Sequence, residues 1–255
     1  MYEAVYARPA GDGELEAFAS TASSYGFSGL VVRGSPEVPL DDIWEPGGVD
    51  AGGTDDGNVD AGGTDDGNHG SDAAPGIDVV DGVEVRTEDP EAARRAVDVC
   101  RGSRTLVVVR GGTNRTNRYA VEDARVDVLA RPTAGRGDLN HVLVRAAADN
   151  GVRIEVDLAP VLRASGGRRV RHLQSLRKLH ELVDYYDAPY VVSAGPTDPL
   201  QLRAPRELAA VGDRIGVGGE WLERGLAEWG RLAARNRRID SESFIEPGVE
   251  RGRYE

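Results

Sequence analysis

Short β-branched runs alternate along the chain with stretches in which apolar residues recur every three or four positions. The runs fall at residues 2–7, 29–33, 77–86, 105–110, 126–130, 153–158 and 190–193, and their length and composition predict seven strands. Four of the intervening stretches read clearly as amphipathic helices. Residues 14–25 place Leu15, Phe18, Ala22 and Tyr25 on one stripe and stop at Gly26. Residues 141–150 turn Val142, Leu143, Ala146 and Ala147 inward, with Asp138 or Asn140 as N-cap and Gly151 as the stop. Residues 168–186 carry Val170, Leu173, Leu176, Leu179 and Val183, and residues 221–235 carry Leu222, Leu226, Trp229 and Leu232, again at helical spacing. Strand and helix in strict alternation predict parallel βα units, and seven of them in one series suit a single closed or nearly closed α/β barrel spanning residues 1–255. A doubly wound open sheet is the alternative, although no G-x-G-x-x-G follows any strand.

One stretch breaks the pattern. Residues 49–58 read VDAGGTDDGN and residues 59–68 repeat them without a change, inside a Gly/Asp-rich segment at 47–72. Such a segment has almost no apolar surface to offset its ordering entropy, so a disordered acidic insertion is expected. The spacing of Asp56, Asn58 and Asp60 resembles a calcium loop, but Ala61 stands where the sharp turn needs Gly and Gly67 where the bidentate Glu belongs.

Charge follows the same division. The 255 residues carry a formal net charge of -12, yet residues 1–100 alone hold 22 acidic and 5 basic side chains. Thirty of the basic residues are Arg and the lone lysine is Lys178. Acid excess with almost no lysine fits a protein adapted to high salt, where a carboxylate-rich surface maintains solubility. One cysteine, Cys100, excludes a disulfide framework, and its place at the end of a helical stretch makes it a packing residue. The opening residues have no apolar core of a signal peptide and no stretch approaches 18 apolar residues, so the expectation is a cytoplasmic protein without a membrane partner.

The strand ends carry the chemistry. Five successive strands run out into arginine, at Arg8, Arg33, Arg86, Arg110 and Arg131. In an α/β barrel the carboxyl ends of all strands meet at one mouth. Guanidinium groups so gathered need anionic partners, and their planar fork matches phosphate or carboxylate. Two readings stand: an anionic-ligand surface, or an internal ion-pair network with Glu84, Asp127, Glu155 and Asp157 on the same strands. The mouth shows no catalytic metal constellation and no catalytic nucleophile in sequence, since His69 lies in the insertion and His141, His172 and His180 fall on helices. No G-x-S-x-G or P-loop pattern is present either.

Residues 137–158 (GDLNHVLVRAAADNGVRIEVDL), 188–194 (APYVVSA) and 202–208 (LRAPREL), with the opening MYEAV and the closing 246–255, resemble ribonuclease P protein component 3 of archaea, its haloarchaeal members above all. The resemblance covers nearly the whole chain outside the repeat, which is no part of the family pattern. It implies a TIM-barrel-like fold related to polymerase and histidinol phosphatase (PHP) domains without their metal site. It also implies a non-catalytic subunit of an endoribonuclease that removes 5′ leaders from precursor tRNA. The implied partners are ribonuclease P RNA, ribonuclease P protein component 2 and the other ribonuclease P proteins. No cofactor is implied for this chain, magnesium serving the RNA subunit. An RNA-binding scaffold needs basic side chains, and the candidates are Arg86, Arg110 and Arg131 at the mouth, Arg115 and Arg118 in the loop that begins at Gly111, and Arg203 and Arg206 flanking Pro205 at an exposed turn. The bland reading of that last pair is local capping of carbonyls or pairing with Glu207. Two other classes remain open: a metal-dependent phosphoesterase of the same barrel superfamily, and a sugar-phosphate barrel enzyme using Glu155 or Asp157 as acid or base.

Overall fold

Seven parallel strands stand side by side in chain order, β1 (Tyr2–Val5), β2 (Gly29–Gly34), β3 (Asp78–Val85), β4 (Leu106–Arg110), β5 (Val128–Ala130), β6 (Arg153–Asp157) and β7 (Tyr190–Ser193). The structure, a computed structural model, describes residues 1–6, 14–35, 76–241, 244–246 and 249–250. The acidic insertion and Arg8 therefore lie outside the described residues. Helix α1 (Glu14–Ser24) follows β1, α2 (Pro90–Cys100) follows β3, α3 (Asn114–Glu122) follows β4 and α4 (His141–Asn150) follows β5. A short α5 (Ala159–Arg163) and a long α6 (Gly166–Tyr185) separate β6 from β7. A 3₁₀ turn, α7 (Pro205–Ile215) and α8 (Gly219–Ile239) come next, then an antiparallel pair β8 (Phe244–Glu246) and β9 (Val249–Glu250). Parallel strands buried on both faces need helical crossovers, so this alternation yields a nearly closed TIM-barrel-like arrangement.

Local chemistry fixes the element ends. Asp89 caps α2 by accepting from Glu91 N and Ala92 N, with Pro90 at the first helical position. Asn140, rather than Asp138, caps α4, and Gly151 closes it at φ 68°. Cys100 ends α2 and is buried, as a packing residue should be. The loop expected to hold Arg115 and Arg118 is instead the helix α3, whose N-cap Thr113 accepts from Thr116 N. Polar Asn114, Thr116 and Asn117 hide this helix from hydrophobic periodicity, because Thr116 and Asn117 are buried for hydrogen bonding.

Side chains divide between two cores. One packs helices against the outside of the strands. The other gathers the inward positions Ala4, Val31, Val80, Leu106, Val108, Val128, Ala130 and Val191 around Trp229, Leu232 and Ala233 of α8. Helix α8 lies across the strand starts, where Asn236 donates to Thr105 O and to Asp127 Oδ1, Arg237 pairs with Asp78, and Arg153 pairs with Glu228. Asp127 thus serves this end, where it also pairs with Arg101 at 2.6 Å and accepts from Val107 N. Its expected place in the mouth network is corrected accordingly: it stands before β5 and not at its end.

No ladder joins β7 back to β1 among the described residues, and one carboxylate bridges the seam. Oε1 of Glu3 accepts from Ser193 Oγ at 2.7 Å, Ala194 N at 3.0 Å and Ala4 N at 3.0 Å, while Tyr6 N donates to Pro196 O. Trp229 Nε1 reaches Val192 O beside it. Burial raises the Glu3 carboxyl to about 7, against the three hydrogen bonds that favour its ionised form. Glu3 therefore holds its proton more tightly in the fold than in the unfolded chain. Its contribution favours the fold fully below about pH 4.5 and is lost as pH rises through about 7. Glu3→Gln keeps an acceptor oxygen without the charge. Its stability relative to wild type should improve by about 3 kcal/mol between pH 4.5 and pH 8, measured by urea unfolding; a difference independent of pH would contradict this.

Candidate nucleic-acid interface

Alternation along the strands places Tyr6, Arg33, Glu84, Arg86, Arg110, Glu155 and Asp157 on the barrel's inward side, above the apolar layer. Strand β6 contributes a charge at every inward position. Its Arg153 meets Glu228 at the foot, its Glu155 meets Arg33 midway, and its Asp157 meets Arg131 at the rim.

Arg33 is the centre of the network. Its side chain is 1% exposed and lies between two carboxylates, Glu84 at 2.6 Å and Glu155, which it grips with both terminal nitrogens. Glu84 is shared further, by Arg86 at 2.9 Å and by Arg110 at 3.7 Å. Arg131 Nε donates to Asp157 at 2.7 Å. The Tyr6 ring lies under this group, with the guanidinium carbons of Arg33, Arg86 and Arg131 at 4.7, 5.3 and 5.9 Å from its centroid. Burial opposes the charge on both Arg33 and Glu84, but attraction wins: Glu155 and then Glu84 move Arg33 up, and Arg33 and then Arg86 move Glu84 down from its ordinary value. Burial pushes Glu155 up although Arg33 pulls the other way.

Exposure rises outward through the set, from 1% at Arg33 to 26% at Arg131, 36% at Arg110 and 52% at Arg86. Four guanidiniums thus meet three carboxylates, and the excess positive charge stands at the solvent end. Arg163, from α5, adds a fifth guanidinium that donates to the carbonyls of Ala194 and Gly195. Burial lowers its pKa, Asp157 opposes this, and the nearby positive charges of Arg131 and Arg203 add to the fall. The internal ion-pair reading of the strand ends is met by Arg33, Glu84, Glu155, Arg131 and Asp157. The inner pairs form an internal network, and the outer heads present donors to solvent.

Backbone geometry supports the rim. Arg131 adopts φ 48°, a conformation uncommon outside glycine, at the point where it turns to Asp157. Buried Asn117 donates to Pro132 O and Asp138 O and accepts from Gly112 N, stitching the loops after β4 and β5 together. A Cβ at Gly137 would collide with the backbone oxygen of Pro132, so glycine is required there.

The remaining candidates sit apart. Arg115 and Arg118 line a separate outer concavity with Arg94 and Tyr119, and Arg118 pairs with Glu122 at 2.8 Å. Arg203 is exposed near Arg163 and donates to Leu200 O and Leu202 O, as local capping would have it. Glu207 reaches back to Ala204 N instead of pairing with either arginine. Pro205 is buried, contrary to the exposed turn expected there, because it opens the packed face of α7, whereas Arg206 is exposed. Sequence reasoning missed Tyr6, Arg163 and Asn117. Among the described residues no group of three or more His, Cys, Asp or Glu is placed to hold a metal ion. Glu155 is held by Arg33, and Asp157 by Arg131 and Ala159 N. No helix of the described residues is long and apolar enough to cross a membrane.

Removing Arg33 strands two buried carboxylates. Arg33→Ala should cost about 3 to 5 kcal/mol, read from the urea midpoint. Arg86→Ala, with its head half in solvent, should cost under about 1 kcal/mol. Equal midpoints for the two variants would contradict the inner-to-outer gradient.

The sequence profile of the family described as RNase P subunit p30 matches residues 1–239. Among its relatives, ribonuclease P protein component 3 of Halorubrum lacusprofundi is 48% identical over 255 residues, all of this chain and 99% of that protein. The component 3 protein of Haloarcula marismortui is 48% identical over 98% of this chain and 96% of its own. A solved chain described as the cryo-EM structure of archaeal ribonuclease P with mature tRNA superposes with a TM-score of 0.74, covers 98% of this chain and 97% of its own, and shares 20% identity, which supports the fold. With a profile match over most of its length and full-length haloarchaeal relatives near half identical, the chain belongs to the RNase P subunit p30 family.

Proposed function

We propose that this chain acts as a protein subunit of ribonuclease P, supporting the particle's RNA in removing 5′ leaders from precursor tRNA and contributing no catalytic group itself. Family membership supplies the particle. The observation that carries the role is the graded arginine mouth, in which buried carboxylates fix the inner guanidiniums and leave the outer ones turned to solvent. Arg86, Arg110 and Arg131 are the phosphate-facing donors of this reading, with Arg203 and Arg206 beyond the lip and Arg115 and Arg118 on a second face. Each can form charge-assisted hydrogen bonds to phosphate oxygens, and such contacts position an RNA without reading its sequence. Ribonuclease P RNA, component 2 and the other ribonuclease P proteins are the partners, and magnesium belongs to the RNA subunit's chemistry. A cytoplasmic location suits that role.

Glu84, Glu155 and Asp157 at the mouth are each paired with arginine, and in this reading the protein alone performs no catalysis. Purified chain incubated with precursor tRNA and magnesium should release no 5′ leader, whereas adding it to the RNA subunit and the other protein subunits should raise leader removal. Cleavage by the chain alone, with its dependence on a mouth residue shown by substitution, would contradict the proposal.

A further inference from the structure

Helix α6 runs past the barrel that supports it. Leu176, Leu179 and Val183 are its buried residues, and they form one stripe at the three- and four-residue spacing of a packed helix face. Extended toward the N-terminus, the same stripe meets His172 and then Arg168 and Arg169. Through residues 166–175 only Leu173 is even half-buried, the others being exposed. The first turns therefore carry arginine and histidine where a core-facing helix would carry leucine.

The charge arrangement there is unfavourable by itself. Arg168, Arg169 and Arg171 crowd the end where the helix dipole is positive, no acidic residue lies in the first turn, and Ser165 makes no side-chain cap. No described carboxylate forms an ion pair with any of the three, while Arg169 donates to Ala164 O. Where α6 approaches the mouth, a cavity of about 200 Å³ opens between them, lined by Arg131, Asp157, Pro160 and Val161 on one side and His172 and Ser175 on the other. Arg131 and Arg203 stand close enough to Arg163 for their positive charges to act on it, while Arg163 itself donates to Ala194 O and Gly195 O.

We infer that the overhanging first turns of α6 and the rim residues Arg131, Arg163 and Arg203 form the two walls of a groove that takes an RNA sugar-phosphate backbone. The inference rests on the ribonuclease P reading and adds to it a specific face. Phosphate is the occupant that fits: it relieves repulsion among the α6 arginines, accepts from guanidinium forks on both walls, and is favoured by the exposed amides of the helix start. A protein partner would need a carboxylate for each of these cations, whereas RNA supplies anions at regular spacing.

The test combines Arg168→Gln, Arg169→Gln and Arg171→Gln in the full chain, assembled with the other protein subunits and titrated with ribonuclease P RNA over a range of salt. An equal-sized control carries Arg95→Gln, Arg145→Gln and Arg214→Gln, all exposed elsewhere. The α6 variant should bind RNA at least tenfold more weakly at low salt, with the slope of log affinity against log salt smaller by about two, since each phosphate contact adds roughly 0.7 to 0.9. Its melting temperature should equal or exceed the wild type's, because unfavourable helix-end charge has been removed. Unchanged affinity and slope would overturn the inference while leaving the ribonuclease P reading standing, and so would an equal loss in the control. Weaker association with the other protein subunits in the absence of RNA would overturn it in favour of a protein dock. Failure of the wild-type assembly to engage the RNA at all would instead sink the functional reading on which the inference rests.

Discussion

A guanidinium buried inside a barrel is tolerable only where carboxylates surround it, and the contact of Arg33 with Glu84 and Glu155 meets that condition. The three groups come from β2, β3 and β6, so the network ties non-neighbouring strands across the interior. It also sets the order of everything above it. Because Glu84 is already committed to Arg33, its other oxygen can only partly satisfy Arg86 and Arg110. Those heads consequently keep donors for something else. A mouth filled with leucine would be more simply stable; this one holds a layer of cations in fixed directions.

Fixed direction matters in concentrated salt. Counterion release, which drives much RNA affinity in dilute solution, weakens as bulk salt rises. A contact made by a held guanidinium fork keeps its geometry and short-range hydrogen bonds under the same conditions. Thirty arginines against one lysine, in a chain whose close relatives come from haloarchaea, agree with that economy of contact. The Tyr6 ring beneath three of the guanidiniums adds a neutral support that screening by salt affects little.

Much of this was legible in the chain. Strand β7 and helix α4 lie where the sequence places them, because Val191 and Val192 pack on the two faces of β7 and Leu143 and Ala147 on the inner face of α4, although Val142, expected inward, stands exposed. The convergence of Arg33, Arg86, Arg110 and Arg131 followed from an arginine at each strand end within a barrel, and Arg8, the fifth of that set, lies outside the described residues. Four things did not follow. Helix α3 is buried through Thr116 and Asn117, which no hydrophobic pattern reveals. Asp127 looked like a mouth acid, yet the strand begins after it, and a shift of so few residues sends a side chain to the other end of the barrel. Arg163 belongs to a helix of five residues, too short to announce itself. The overhang of α6 was hidden for a different reason: its basic stripe continues an apolar one, and only the position of the barrel edge tells where packing stops.

The division between inner anchors and outer donors is tested most directly at Arg110, which touches Glu84 only at 3.7 Å and is 36% exposed. Arg110→Gln, in the chain assembled with its protein partners, should leave the urea midpoint within about 0.5 kcal/mol of wild type while weakening association with ribonuclease P RNA and lowering the salt slope by about 0.7 to 0.9. A variant that unfolds several kcal/mol more easily yet binds the RNA with wild-type affinity and slope would show that the whole mouth is structural, and would contradict the account.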